Sequence, residues 1–226
     1  MPDLSEKRVI PVLFEDECYV AFDKPSGILV IPSPKKEKNT LVDVVNRTHG
    51  SAQNEFRLHL CHRLDRDTSG VIVFGKGKKN QQAMMQLFHN RQVRKRYIAF
   101  VHGKLKTPQG ELRSHIRDFG YKKFSKYDST KLAVTRFHAL QIKKGFTVVE
   151  VFPITGRTNQ IRIQFSEAGF PLVGERQYAF ARDFELKFRR VALHAQKFEC
   201  VHPIYHRPVK IESPLPNDMR DFMTNH

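Results

Sequence analysis

Short runs rich in β-branched and aromatic residues recur along this whole chain, and Gly, Pro, Asp or Asn cuts off nearly every one. A chain punctuated in this way folds chiefly as strands. Residues 9–14 (VIPVLF) and 19–23 (YVAFD), separated by EDEC, read as a strand pair, and KPSG ends the second run. Strand-like runs follow at 58–64, 70–75, 97–101, 110–116, 132–140, 146–152, 191–200 and 209–211. GVIVFG at 70–75 is apolar without interruption between two glycines, as in a strand buried on both faces. Helical spacing is confined to three places. Thr40 caps a run with Leu41, Val44 and Val45 on one face; Asn80–His89 carries Ala83, Met84, Leu87 and Phe88; and Thr158 precedes Ile161, Phe165 and Ala168, with Gly169 placed as a stop. The methionine and aromatic stripe of the second run reads as core. The expectation is an α+β fold: a mainly antiparallel, mixed β-sheet core with flanking helices.

The chain of 226 residues shows no repeat, low-complexity tract or linker, so residues 1–226 are expected to form a single catalytic domain. KKEKN at 35–39 and the proline-rich C-terminal segment read as surface loops. Lysine and arginine number 39 against 23 acidic residues, a difference of 39 − 23 = +16, and this field attracts polyanions. Charge alone nominates a partner and no reaction. Cys18, Cys61 and Cys200 are odd in number and widely spaced, which argues against a disulfide framework and fits a reducing cytoplasm. The first residues lack a secretory pattern, and no apolar run is long enough to span a bilayer, so neither secretion nor a membrane partner is expected.

Three polar clusters stand out. HRLDRDTSG, residues 62–70, lies between two strand-like runs, where Asp65 can be held by the backbone and nearby cations and still reach a cleft. The same residues make an ordinary turn equally well. TGRTNQIRIQF, residues 155–165, brings Arg157 and Arg162 to a helix start; an arginine beside an aspartate holds the carboxylate ionised, which suits a nucleophile or base, although helix starts often carry merely solvated charges. RKRYIAFVHG, residues 94–103, opens a strand at Tyr97, a residue that is ordinarily core but that stacks on a nucleobase when it faces a polar cleft.

Together these clusters resemble the RluA family of RNA pseudouridine synthases. The resemblance covers nearly the whole chain: DKPSG at 23–27, HRLD and TSG within 62–70, KRYIAFVHG at 95–103, PITGRTNQIR at 153–162, GFPLVGE at 169–175 and LHAQKFECVHP at 193–203. It implies the pseudouridine synthase fold with a central RNA-binding cleft, and isomerisation of specific uridines in structured ribosomal or transfer RNA without metal or organic cofactor. It implies too that Asp65 is the catalytic aspartate, Tyr97 the active-site tyrosine, Arg162 the basic residue paired with the aspartate, and Arg63 the arginine associated with displacing the target base.

The sequence departs from the family at Asn159 and Gln164, where histidines are common, which bears on RNA contacts more than on the reaction. No N-terminal module of the S4 type is expected before a catalytic region that starts near residue 9, and recognition is expected to fall to the catalytic domain. Arg157 is expected to contact RNA. So are Lys122 and Lys123, in a stretch from Tyr121 to Lys131 that interleaves aromatics with lysines; a solvated hairpin loop explains that stretch as well. His194, Cys200, His202 and His206 fit no common zinc spacing, and no metal is expected. A monomer without an obligate protein partner is the expected state. The competing class is a non-catalytic RNA-binding or ribosome-assembly protein on the same scaffold; an Asp65 and Asp67 hydrolase is disfavoured because carboxylates two residues apart do not flank a substrate.

Overall fold

The computed structural model describes residues 9–32, 37–49, 56–117, 130–179 and 186–226. Among the described residues, ten strands and four helices make the α+β fold that the sequence pattern anticipates. Their contacts group the chain into two compact units, Met1–Val93 with Lys197–Ser213 and Arg94–Gln196 with Pro214–His226.

In the first unit β1 (Val12–Glu15) pairs antiparallel with β2 (Tyr19–Lys24), as the EDEC turn demands. Helix α1 (Leu41–Thr48) starts at a capping box: Asp43 accepts from the Thr40 amide at 3.0 Å, and Leu41, Val44 and Val45 are its buried face. β3 (Leu58–Leu60) is shorter than the run 58–64 suggests, because the chain leaves the ladder at Cys61 to enter the polar loop. β4 (Ser69–Lys76) is buried along nearly its whole length and pairs with both β2 and β3. Helix α2 (Lys78–His89) lies so close to it that a Cβ on Gly75 would sit 2.5 Å from the Gln81 amide nitrogen, so only glycine fits. Met84 joins Cys18, Tyr19, Val71, Val73 and Phe198 in one core, with Leu87 and Phe88 packed against it. The stripe is therefore core, as read.

The second unit contains β5 (Arg94–His102), β6 (Gln109–Arg117), β7 (Thr130–Lys143) and β8 (Phe146–Pro153), laid side by side in the order β5-β8-β7-β6 with antiparallel pairing throughout. A register shift between Ala139 and Gln141 bends β7. Helix α3 (Gln160–Glu167) packs on β6 and β7. Thr158 does not cap it: the cap position falls on Asn159, in the left-handed conformation at φ 53° and without a side-chain capping bond. Ile161 and Phe165 are buried as expected; Ala168 is exposed, because the helix has already ended there and Gly169 turns away at φ 85°.

Residues of β9 (Leu193–Val201) belong to both units, and the part from Lys197 onward pairs with β10 (Pro208–Glu212) in the first. The C-terminal segment is not the surface loop that its prolines suggest. After Pro216 it forms helix α4 (Asn217–Asn225), whose Met219 and Phe222 join Phe100, Phe146 and Val148 in the core of the second unit. Asp218 fixes this helix by accepting from Arg190 at 2.7 and 2.9 Å. The KKEKN loop is described only from residue 37, and the Tyr121–Lys131 stretch only at its last two residues, so Lys122 and Lys123 lie outside the described residues.

Candidate active site

In the first unit Asp65 sits, half-buried, in the loop between β3 and β4, with Arg63 exposed beside it. The loop is anchored at both ends. At its start the His62 Nε2 accepts from the Val73 amide at 3.1 Å while the ring packs against both Phe88 and Phe198, so Nε2 carries no proton and the imidazole serves as a packed strut. At its end Asp65 itself closes a turn, its carbonyl accepting from the Thr68 amide at 3.2 Å.

The middle of the loop is held by Lys24, a side chain with no solvent exposure. Its ammonium donates to the carbonyls of Pro25, Arg66 and Thr68 at 3.0, 2.8 and 2.8 Å. Three acceptors match its three N–H donors, which is what a buried ammonium requires. Gly27, at φ 87°, adds an amide bond to the same Arg66 carbonyl at 2.9 Å. Thus DKPSG and HRLDRDTSG, distant in sequence, are one structural element. Asp23 of the first motif is in turn tied down by the Ser213 hydroxyl at 2.8 Å.

In the second unit Tyr97 is a buried residue of β5 opposite Val151 of β8. Beyond β8 the TGRT turn is pinned by Gln160, which is buried and fully used. Its Oε1 accepts from the Thr155 hydroxyl and the Arg157 amide at 2.7 and 3.0 Å, and its Nε2 donates to the Val134 carbonyl and the Thr135 hydroxyl at 3.0 and 2.8 Å. Arg157 is half-buried, with its Nε donating to the Leu132 carbonyl at 3.3 Å.

Arg162 projects from α3 into a clamp. Its Nε and Nη2 donate to the two carboxylate oxygens of Glu175 at 2.7 and 2.9 Å, its Nη1 donates to Asn159 Oδ1 at 2.9 Å, and its guanidinium lies 5.1 Å from the centre of the Tyr178 ring. Burial alone would lift the Glu175 carboxyl, but the guanidinium and the amides of Gln177 and Tyr178 outweigh it and hold the group below the usual carboxylate value. Asn159 Nδ2 completes the arrangement with a bond to the Tyr178 hydroxyl at 2.9 Å. At one of the two positions where a histidine is common, asparagine therefore links an arginine to a tyrosine. Gln164, at the other, donates to the Leu112 and Ala133 carbonyls and joins α3 to β6 and β7.

Sequence reasoning assigned no role to Lys24, Gln160 or Glu175. All three stand within the quoted motifs DKPSG, PITGRTNQIR and GFPLVGE, and that was the available signal; each also holds a group remote along the chain, Arg66 and Thr68 for Lys24, Val134 and Thr135 for Gln160, and Arg162 for Glu175.

Among the described residues one group could ligate a metal ion, Asp16, Cys18 and His202, whose donor atoms lie within 4.8 Å of one another. The His202 Nδ1 already accepts from the Ile204 and Tyr205 amides, and its Nε2 faces Asp16 Oδ2 at 3.1 Å. With Nδ1 taken by two amides and Nε2 set against the carboxylate, the His202 ring is already placed without an ion. Among the same residues no helix is long and apolar enough to cross a membrane.

Residues 18–167, a segment that includes both the Asp65 loop and Arg162, match the family model described as RNA pseudouridylate synthase. The chain belongs to that family. This RNA pseudouridine synthase, an isomerase by membership, is 33% identical over 230 residues to the uncharacterized RNA pseudouridine synthase YlyB of Bacillus subtilis, covering 98% of this chain and 74% of that one. It is 32% identical to the ribosomal large subunit pseudouridine synthase D of Xylella fastidiosa, covering 97% and 71%. Among solved structures, human RNA pseudouridylate synthase domain containing 4 superposes with a TM-score of 0.77 at 24% identity over 95% of this chain and 92% of that chain, which shows a shared fold.

Proposed function

We propose that this synthase isomerises specific uridines in structured ribosomal or transfer RNA, with Asp65 as the reacting carboxylate. The observation that carries the reading is the Asp65 loop: a half-buried aspartate on a turn whose backbone is fixed at His62, Lys24 and Thr68, inside the segment matched by the family model. A reacting group must be held in place by atoms other than its own.

The reaction breaks the bond from ribose C1′ to uracil N1, turns the base and joins C5 to C1′; C5 loses its proton and N1 ends with one. Neither oxidation state nor composition changes, so no redox partner or energy source is consumed. The carboxylate of Asp65 serves either by attacking C1′, with the uracil as leaving group, or by taking a proton from the sugar. Arg162 supplies the positive charge that keeps it ionised. A guanidinium has five N–H donors, and anchoring by three of them does not exhaust it. Tyr97 stacks on the uracil. Since a uridine inside a helix must be extruded at a cost of a few kcal/mol, Arg63, exposed beside Asp65, fills the gap. Arg157, Lys122 and Lys123 contact the RNA.

The test uses RNA labelled with [5-³H]uridine from cells lacking the gene, where loss of the C5 proton reports turnover. The wild-type protein releases tritium, and Asp65→Asn lowers the rate by about 10³-fold or more while retaining RNA binding. An Asp65→Asn protein that turns over normally refutes the assignment; a wild-type protein that binds this RNA without releasing tritium favours the non-catalytic scaffold.

A further inference from the structure

Lys95 lies on β5 two residues before Tyr97, so the two side chains leave the strand on the same face, about 7 Å apart along it. β8 pairs Val151 with Tyr97, and two residues farther along each strand the chain reaches Lys95 on one side and Pro153, the entry to the TGRT turn, on the other. The Lys95 ammonium consequently meets that turn: a Cβ on Gly156 would stand 3.9 Å from its Nζ and touch nothing else. Gly156 is exposed, and its amide makes no hydrogen bond with the described residues.

Lys95 is the reverse of Lys24. Lys24 is buried with three carbonyl acceptors, whereas Lys95 is half-buried and has no hydrogen bond or ion pair with a described residue. Desolvation lowers its ammonium to about 8. An ammonium partly withdrawn from water and lacking an acceptor costs stability. The chain bears that cost on the face of Tyr97, beside an exposed main-chain donor.

We infer that Lys95 and the Gly156 amide form a subsite for one backbone phosphate of the bound RNA, adjoining the nucleotide that Tyr97 stacks upon. The ligand class follows from the donors. The ammonium lies against the exposed Gly156, whose amide is without a partner among the described residues, and a phosphate oxygen is the acceptor that both donors lack. Glycine at 156 leaves room for the approach. The subsite rests on the isomerase reading for its neighbour Tyr97, but its own test needs no turnover. Lys95 is thereby a positioning residue, acting on where the RNA backbone lies.

The probe is a fluorescein-labelled, mixed-sequence single-stranded RNA of 12 nucleotides, titrated by anisotropy from 50 to 300 mM KCl. Each phosphate contact on a single strand contributes about −0.7 to the slope of log K against log salt. Lys95→Met, which keeps the aliphatic stem, is expected to flatten the slope by about that amount and to weaken binding several-fold at 100 mM KCl. Gly156→Asp leaves the lysine in place but supplies it with an internal anion, and produces the same loss. In the tritium assay both variants raise KM roughly tenfold with kcat within about twofold, and Lys95→Arg restores most of the difference. Unchanged salt slopes in both Lys95→Met and Gly156→Asp overturn the subsite, as does a loss confined to kcat. If Asp65→Asn proves fully active while the slopes still fall, the isomerase reading fails and the phosphate subsite stands.

Discussion

The turn that carries Asp65 and the turn that leads to Arg162 are held by opposite means. In the first, a buried cation is the hub and the groups it fixes are main-chain carbonyls: Lys24 gathers those of Pro25, Arg66 and Thr68. In the second, side-chain acceptors are the hubs. Gln160 fixes the TGRT turn, and Glu175 fixes a cation, Arg162. A loop that presents a carboxylate is thus fixed through its backbone, whereas a helix that presents a guanidinium gives up part of that group's donor set to hold it still. Lysine and arginine are not interchangeable in these settings: three spherical-shell donors suit three carbonyls, and a planar fork suits a carboxylate.

The largest effect that tests this contrast belongs to Lys24→Met. Removing the ammonium takes this donor from the Pro25 and Thr68 carbonyls and leaves that of Arg66 with the Gly27 amide, at about 1–3 kcal/mol for each carbonyl that stays dry and unpaired. We expect a loss of roughly 3–5 kcal/mol in urea unfolding and a fall in Tm of roughly 10 °C, with tritium release lost in step because the Asp65 backbone is no longer fixed. A loss below about 1 kcal/mol would mean that water replaces the ammonium and that the loop has no need of a cationic hub.

Glu175→Gln is expected to cost less, about 2 kcal/mol, since the amide keeps one acceptor for the guanidinium and the amides of Gln177 and Tyr178 remain near it. Its effect on turnover is about tenfold in kcat, through a mis-set Arg162, with RNA binding retained. The pH dependence has a definite sign. The Glu175 carboxyl is held below its ordinary value of 4.5 in the folded protein, so its contribution is fully present above that value and fades as pH falls through the folded one. The stability gap between wild type and Glu175→Gln is therefore constant from pH 8 to pH 6 and narrows in acid below about 4.5. A gap that instead widens in acid would show that the pair is not ionised as described.

Why one half of this contrast was legible in the sequence and the other was not follows from how each part is built. The strand series was readable because alternation and turn residues are local, and α1 was readable because Thr40 caps a run that sets Leu41, Val44 and Val45 on one face. The Asp65 loop was legible as a polar break between two apolar runs, and Gly169 as a helix stop. Lys24 was not, because its acceptors are main-chain atoms, which every residue owns and no residue type announces. Glu175 was not, because its partner lies 13 residues away across a turn. Helix α4 was hidden by its prolines: Pro214 and Pro216 precede the helix, where the missing amide does no harm, and the signal lay in Met219 and Phe222, one helical turn apart. The Thr158 cap was a fair reading of residue type that the left-handed backbone at Asn159 overrides.

The smallest effect tests that last point and separates backbone from side chain. Asn159 does two things, adopting φ 53° and linking Arg162 to Tyr178 through its amide. Asn159→Gly removes the link but accepts the backbone freely, whereas Asn159→Ala removes the link and also places a Cβ in the left-handed region, at about 1 kcal/mol more. The difference between the two variants measures the backbone contribution, and the shared loss, about 0.5–1 kcal/mol, measures the link. Asn159→His restores the residue common in the family, tolerates the left-handed backbone and offers one ring nitrogen to Arg162. It should stay within about 0.5 kcal/mol of wild type, with turnover within about threefold. If Asn159→His instead impairs kcat as much as Glu175→Gln does, the bond to the Tyr178 hydroxyl sets the orientation of Arg162 together with Glu175. The clamp would then be a three-membered unit, unlike the single-hub arrangement around Lys24.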